Sequence, residues 1–84
     1  MKPSAIMEET KLLTELGSKI KRIRTNKHLS QNDLAILCNF EKASMSRIEA
    51  GKTNVTLTTL HKISRALEVH IADLLTDGLD GKER

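Results

Sequence analysis

Three histidines, one cysteine and eleven acids are the side chains of this 84-residue chain that could support acid–base, nucleophilic or metal chemistry. Their spacing supports none of it. His28, His61 and His70 lack metal-ligand intervals, and there is neither an HExxH pair nor a second cysteine. The acids are scattered without a paired arrangement, no glycine-rich phosphate loop occurs, and Cys38 reads as a small packed hydrophobe. No catalysis, metal or cofactor is expected. Lys42, Ala43, Ser46 and Arg47 do form a pattern, because they share one side of a short helix opposite Met45 and Ile48. That leaves a small, polar and basic outer face on the helix, with no pair of groups placed for reaction.

The elements that must position this face lie between Leu29 and Lys52, in LSQNDLAILCNFEKASMSRIEAGK. Ser30 is placed to cap a first helix, with Asp33 in the position of a capping-box acid. Leu34, Ala35 and Cys38 make its narrow apolar side. Asn39 stands where the chain must turn and tolerates positive φ, and Phe40 packs the corner. A second helix covers roughly Lys42 to Ala50, and Gly51 stops it. Two short helices, a tight corner and a polar outer face make a helix-turn-helix layout.

From about Leu16 to Leu75 the chain resembles the DNA-binding domains of the lambdoid phage repressors and Cro, a large group of small bacterial and phage regulators. The resemblance rests on Ser30-Gln31, Leu34-Ala35, Met45-Ser46-x-Ile48-Glu49-x-Gly51-Lys52 and Leu60-x-x-Ile63-x-x-Ala66-Leu67, in order and at family spacing. It implies an all-α fold, a compact five-helix bundle of the lambda-repressor-like type with a central helix-turn-helix. It also implies double-stranded DNA as the partner, with Lys42, Ala43, Ser46 and Arg47 facing the bases. Arg47 would fork onto guanine O6 and N7, Lys42 would reach guanine or phosphate, and Ala43 would offer a methyl to thymine. Gln31, Ser44, Lys52 and Asn54 would hold backbone phosphates, and Arg24 would pair with Glu49. The chain departs from the family at Asn39, where glycine is usual, and at Glu41, where a capping Ser or Thr is common. Its base-facing set also holds no glutamine, so no relative's operator can be borrowed.

Composition agrees with a single small aliphatic domain: 38% of residues are hydrophobic, and Phe40 is the lone aromatic. The net charge of +3 is uneven, with seven Lys and Arg against three acids in residues 1–29 and four against five in residues 57–84. One cysteine, no secretory segment and no apolar run of membrane length suggest a cytoplasmic protein.

Taken in order, residues 1–9 show no packing pattern and are expected as a flexible start, before a domain over 10–76 and a flexible tail over 77–84. The first helix is expected over about 10–26, with Leu13, Leu16, Ile20 and Ile23 inward, Lys19 among the polar remainder and Gly17 marking close packing. Thr56 caps a helix with Leu57, Leu60, Ile63, Ser64 and Leu67 inward. A short last helix presents Ile71, Leu74 and Leu75, the expected homodimer interface. A stand-alone regulator on a palindromic operator is then expected, controller proteins of restriction–modification systems included. The alternative is a DNA-binding antitoxin with a toxin partner. No small-molecule ligand is expected, for want of a second domain.

Overall fold

The computed structural model describes the backbone of residues 4–75 and the side chains of residues 9–75. Five helices follow in order: α1 (Ser4–Asn26), α2 (Gln31–Cys38), α3 (Lys42–Glu49), α4 (Leu57–Leu67) and α5 (Ile71–Leu75). Among the described residues there is no strand, so the fold is the expected all-α five-helix bundle. One core joins all five helices, built from Leu16, Ile20, Leu34, Ala35, Cys38, Met45, Ile48, Leu60, Ile63, Leu67 and Leu74.

Helix α1 starts at Ser4, earlier than the expected start near residue 10, so residues 4–9 are helical. Packing periodicity was the wrong criterion there. Ala5, Met7, Glu8, Glu9, Lys11 and Leu12 are all strong helix formers, and extending a helix already nucleated against a core is easy. Residues 77–84, the expected tail, lie outside the described residues.

Local signals set the helix starts. Ser30 Oγ accepts from Asp33 N at 2.9 Å, and Asp33 Oδ2 accepts from Ser30 N at 2.8 Å, which completes the capping box. The backbone and hydroxyl of Ser30 hold the Asp33 carboxyl below its ordinary range. Thr56 Oγ1 caps α4 by accepting from Thr59 N at 3.1 Å.

One device closes α1 through α4. Each ends on a residue with φ between 61° and 72°, namely His28, Asn39, Glu68 and Gly51. At each end the left-handed residue's N–H donates three residues back, and the next N–H donates five back. Leu29, Phe40 and Val69, directly after three of these residues, pack against the core and hold the reversals in place. That anchoring lets His28 and Glu68 occupy a conformation that usually favours glycine.

Helices α1 and α3 meet backbone to backbone at two glycines. A Cβ on Gly17 would lie 2.5 Å from the Ile48 carbonyl oxygen and against that of Glu49. A Cβ on Gly51 would lie 2.7 Å from Thr14 Cα. The expected close packing at Gly17 is therefore real, and it seats the end of α3 on the middle of α1.

Three expected orientations are corrected. Leu57, placed inward by periodicity, is 69% exposed, because it starts α4 beyond the reach of the core. Leu74, assigned to a subunit interface, is 2% exposed and belongs to the monomer's own core, while Leu75 is 53% exposed. Lys19, assigned to the polar side of α1, is buried, as the aliphatic stem of a lysine allows.

Candidate nucleic-acid interface

Helix α3 carries the candidate face. Met45, Ile48 and Glu49 are buried, and Lys42, Ala43, Ser46 and Arg47 are exposed together on the other side. The first turn of α3 keeps its free N–H groups, because N-terminal Glu41 makes no side-chain cap. Glu41, standing where a capping Ser or Thr is common, thus leaves its own helix start without a side-chain cap.

Beside this face lies an open crevice of about 230 Å³, lined by Phe40, Ser44, Arg47, Ile48, Thr53, Asn54 and Thr59. It brings together Ser44 and Asn54, expected on phosphate, and Arg47, expected on bases. Lys42, Ala43, Ser46, Lys52 and Gln31 do not line it. Thr53 and Thr59 escaped the sequence reading. Thr59 was signalled only by its spacing from the cap residue Thr56, whose hydroxyl pairs with the Thr59 hydroxyl at 3.0 Å. Lys52 is exposed just past the end of α3, where its N–H closes the helix onto the Arg47 carbonyl at 2.9 Å.

A polar cluster under the motif locks the two helices to α1. Arg24 Nε donates to Glu49 Oε2 at 2.6 Å, and Arg24 Nη2 donates to Glu49 Oε1 at 2.9 Å. Its third donor, Nη1, reaches the Leu29 carbonyl at 2.8 Å and braces the loop that enters α2. The side chains of Arg24 and Glu49 are only 8% and 3% exposed. The Glu49 hydrogen bonds push the Arg24 pKa above its ordinary value, against the opposing effect of burial. Gln31, expected to be a surface contact, is half-buried and donates from Nε2 to Glu49 Oε1 at 3.0 Å.

Other reactive groups do not converge. Cys38 is buried, with its Sγ 3.8 Å from the Lys62 carbonyl, and burial pushes its thiol up despite Lys62. Among the described residues no three His, Cys, Asp or Glu side chains gather as a metal site, and no helix is long and apolar enough to cross a membrane.

Residues 19–78 match the model of the Cro/C1-type HTH DNA-binding domain. The chain belongs to that family. Its members are transcriptional regulators that bind DNA through a helix-turn-helix. This Cro/C1-type chain is 43% identical over 60 residues to control protein C.BamHI of Bacillus amyloliquefaciens, covering 70% of this chain and 74% of that one. It is 39% identical over 62 residues to control protein C.MunI of a Mycoplasma species, covering 73% and 84%. Among solved structures, the restriction-modification controller protein C.AhdI from Aeromonas hydrophila superposes with a TM-score of 0.73 at 32% identity, covering 74% of this chain and 94% of that one. A hypothetical transcription factor from Neisseria gives a TM-score of 0.81 at 28% identity, covering 89% and 86%.

Proposed function

We propose that this Cro/C1-type regulator binds a palindromic DNA operator as a homodimer, with α3 of each subunit in the major groove. The observation that carries the reading is the joint exposure of Lys42, Ala43, Ser46 and Arg47 on the side of α3 turned away from the core. Arg47 pairs with a guanine edge, Lys42 and Ala43 complete the base-facing set, and Ser46 lies one turn beyond Lys42. Ser44, Lys52 and Asn54 hold phosphates on either flank, setting register without reading sequence. The similarity to control proteins supports a stand-alone regulator of the restriction–modification controller kind over an antitoxin.

The dimer surface in this proposal is Ile71, Leu75 and Leu57, with Leu74 left out because the monomer core already uses it. Leu57 and Ile71 line one shallow apolar groove with Thr58 and His61. A second copy covering that groove would set two recognition helices about 34 Å apart, one turn of DNA. Sedimentation at tens of micromolar without DNA should show a dimer. A monomer alone would remove the symmetric operator from the proposal.

The test of the base-reading assignment starts from an operator selected out of a random DNA pool. Arg47→Ala should cost about 1–3 kcal/mol per half-site and relax preference at one base pair. Lys52→Ala should weaken all sequences alike and flatten the salt dependence by roughly one unit per site. If Arg47→Ala weakens every operator variant equally, Arg47 is a phosphate clamp in its crevice and the reading surface lies elsewhere.

A further inference from the structure

We infer that Glu49 is a positioning residue for DNA contact, holding the Gln31 carboxamide at the start of α2 ready for a backbone phosphate. The inference rests on the DNA-binding reading above. One carboxylate oxygen of Glu49 accepts twice, from Arg24 Nη2 at 2.9 Å and from Gln31 Nε2 at 3.0 Å. A carboxamide nitrogen carries two N–H bonds, and only one is used here. Among the described residues the Gln31 side chain makes no other hydrogen bond.

The surroundings suit an anion at the second N–H. Gln31 is the first residue of α2, and Ser30 spends its hydroxyl on Asp33 N and its carbonyl on Leu34 N. The N–H groups of Gln31 and Asn32 therefore face outward without acceptors inside the helix. A bare carboxylate so close would repel a phosphate. Arg24 offsets that charge with its bidentate fork, and the other carboxylate in the first turn of α2, Asp33, is engaged by Ser30 N.

Fixing the side chain matters because an unrestrained glutamine must be frozen when it binds. Immobilising one long side chain costs roughly 3- to 10-fold in affinity, and Glu49 has met that cost before DNA arrives. The buried pair thus has a second task beyond joining α1 to α3.

Gln31 is the only glutamine in the chain, so its side-chain amide gives a single assignable signal under glutamine-selective ¹⁵N labelling. In the free wild-type protein that amide should resonate away from the solvated position, with one proton shifted by the carboxylate. Glu49→Asp keeps the charge for Arg24 but shortens the reach, so the signal should return to the solvated position. A wild-type amide already at the solvated position overturns the inference without any variant.

Binding to the selected operator then separates positioning from structure. Gln31→Ala and Glu49→Asp should each weaken binding roughly 3- to 10-fold per half-site. The double variant should be no weaker than Gln31→Ala alone, since Glu49 acts through a side chain already removed. If Glu49→Asp lowers affinity by the same factor in both backgrounds, its role is purely structural and the inference falls. If Arg47→Ala and Lys52→Ala weaken binding while Gln31→Ala does not, the inference falls and the DNA reading stands. If none of the three weakens binding, the DNA-contact reading itself has failed.

Discussion

Glu49→Ala should lower the stability of the fold by about 3–5 kcal/mol, since it strands the Arg24 guanidinium in a buried site. The distances explain why this pair outranks an ordinary surface ion pair. Two of the Arg24 donors close on one carboxylate at 2.6 and 2.9 Å, and both side chains are shielded from water. Folding has already desolvated the guanidinium, so removing its partner leaves that cost uncompensated. A domain of this size is stabilised by only about 4–13 kcal/mol, so the loss removes a large share of the total. The melting temperature should fall by at least about 12 °C. The companion variant Arg24→Met with Glu49→Leu should recover much of the loss, because apolar residues of similar volume need no partner. Recovery will be incomplete, since the Leu29 carbonyl loses its donor from Arg24 Nη1. A loss from Glu49→Ala below about half a kcal/mol would mean that the pair is solvated, as exposed pairs are.

Gly17→Val should cost about 3 kcal/mol, at the upper end of what overpacking does in a well-filled core. The atoms in the way are backbone: the carbonyl oxygens of Ile48 and Glu49, and the Glu49 carbonyl carbon at 2.7 Å from an added Cβ. No rotamer change relieves such a contact, so α1 and α3 must separate. Separation also stretches the Arg24–Glu49 fork, because Glu49 lies in the turn of α3 that Gly17 touches. Denaturant unfolding measures the stability loss, and operator binding by the folded fraction reports the displaced α3. Valine is slightly better than glycine inside a helix, by a few tenths of a kcal/mol. An unchanged or raised stability would therefore show that the α1–α3 seam has room to spare.

The helix-turn-helix was legible because its signals are local. Ser30 and Asp33 are three residues apart, and the inward Leu34, Ala35, Cys38, Met45 and Ile48 follow helical intervals. Caps and i, i+4 neighbours act across one turn, so a few residues carry the whole message. Asn39 and Gly51 announced their turns by residue type, and the structure gives both positive φ. His28 and Glu68 turn in the same way without a residue-type signal, and what holds them is the apolar residue that follows each.

Periodicity names the inward side of a helix but not how far its neighbours extend. Leu57 and Leu60 share one side of α4, yet only Leu60 has the core beside it. Leu74 and Leu75 are adjacent in α5, and only the packing of α5 on α1 and α4 decides which is inside. The sequence by itself therefore determined α2, α3 and α4, the caps at Ser30 and Thr56, the corner and the outer face of α3, since each depends on residues within a turn or two. Tertiary structure alone decided the burial of Leu74 and Lys19, the crevice joining Ser44, Arg47 and Asn54, and the meeting of Gln31 with Glu49. Gln31 and Glu49 are 18 residues apart, and their 3.0 Å hydrogen bond follows from the packing of α2 directly on α3, which no local signal in the sequence announces.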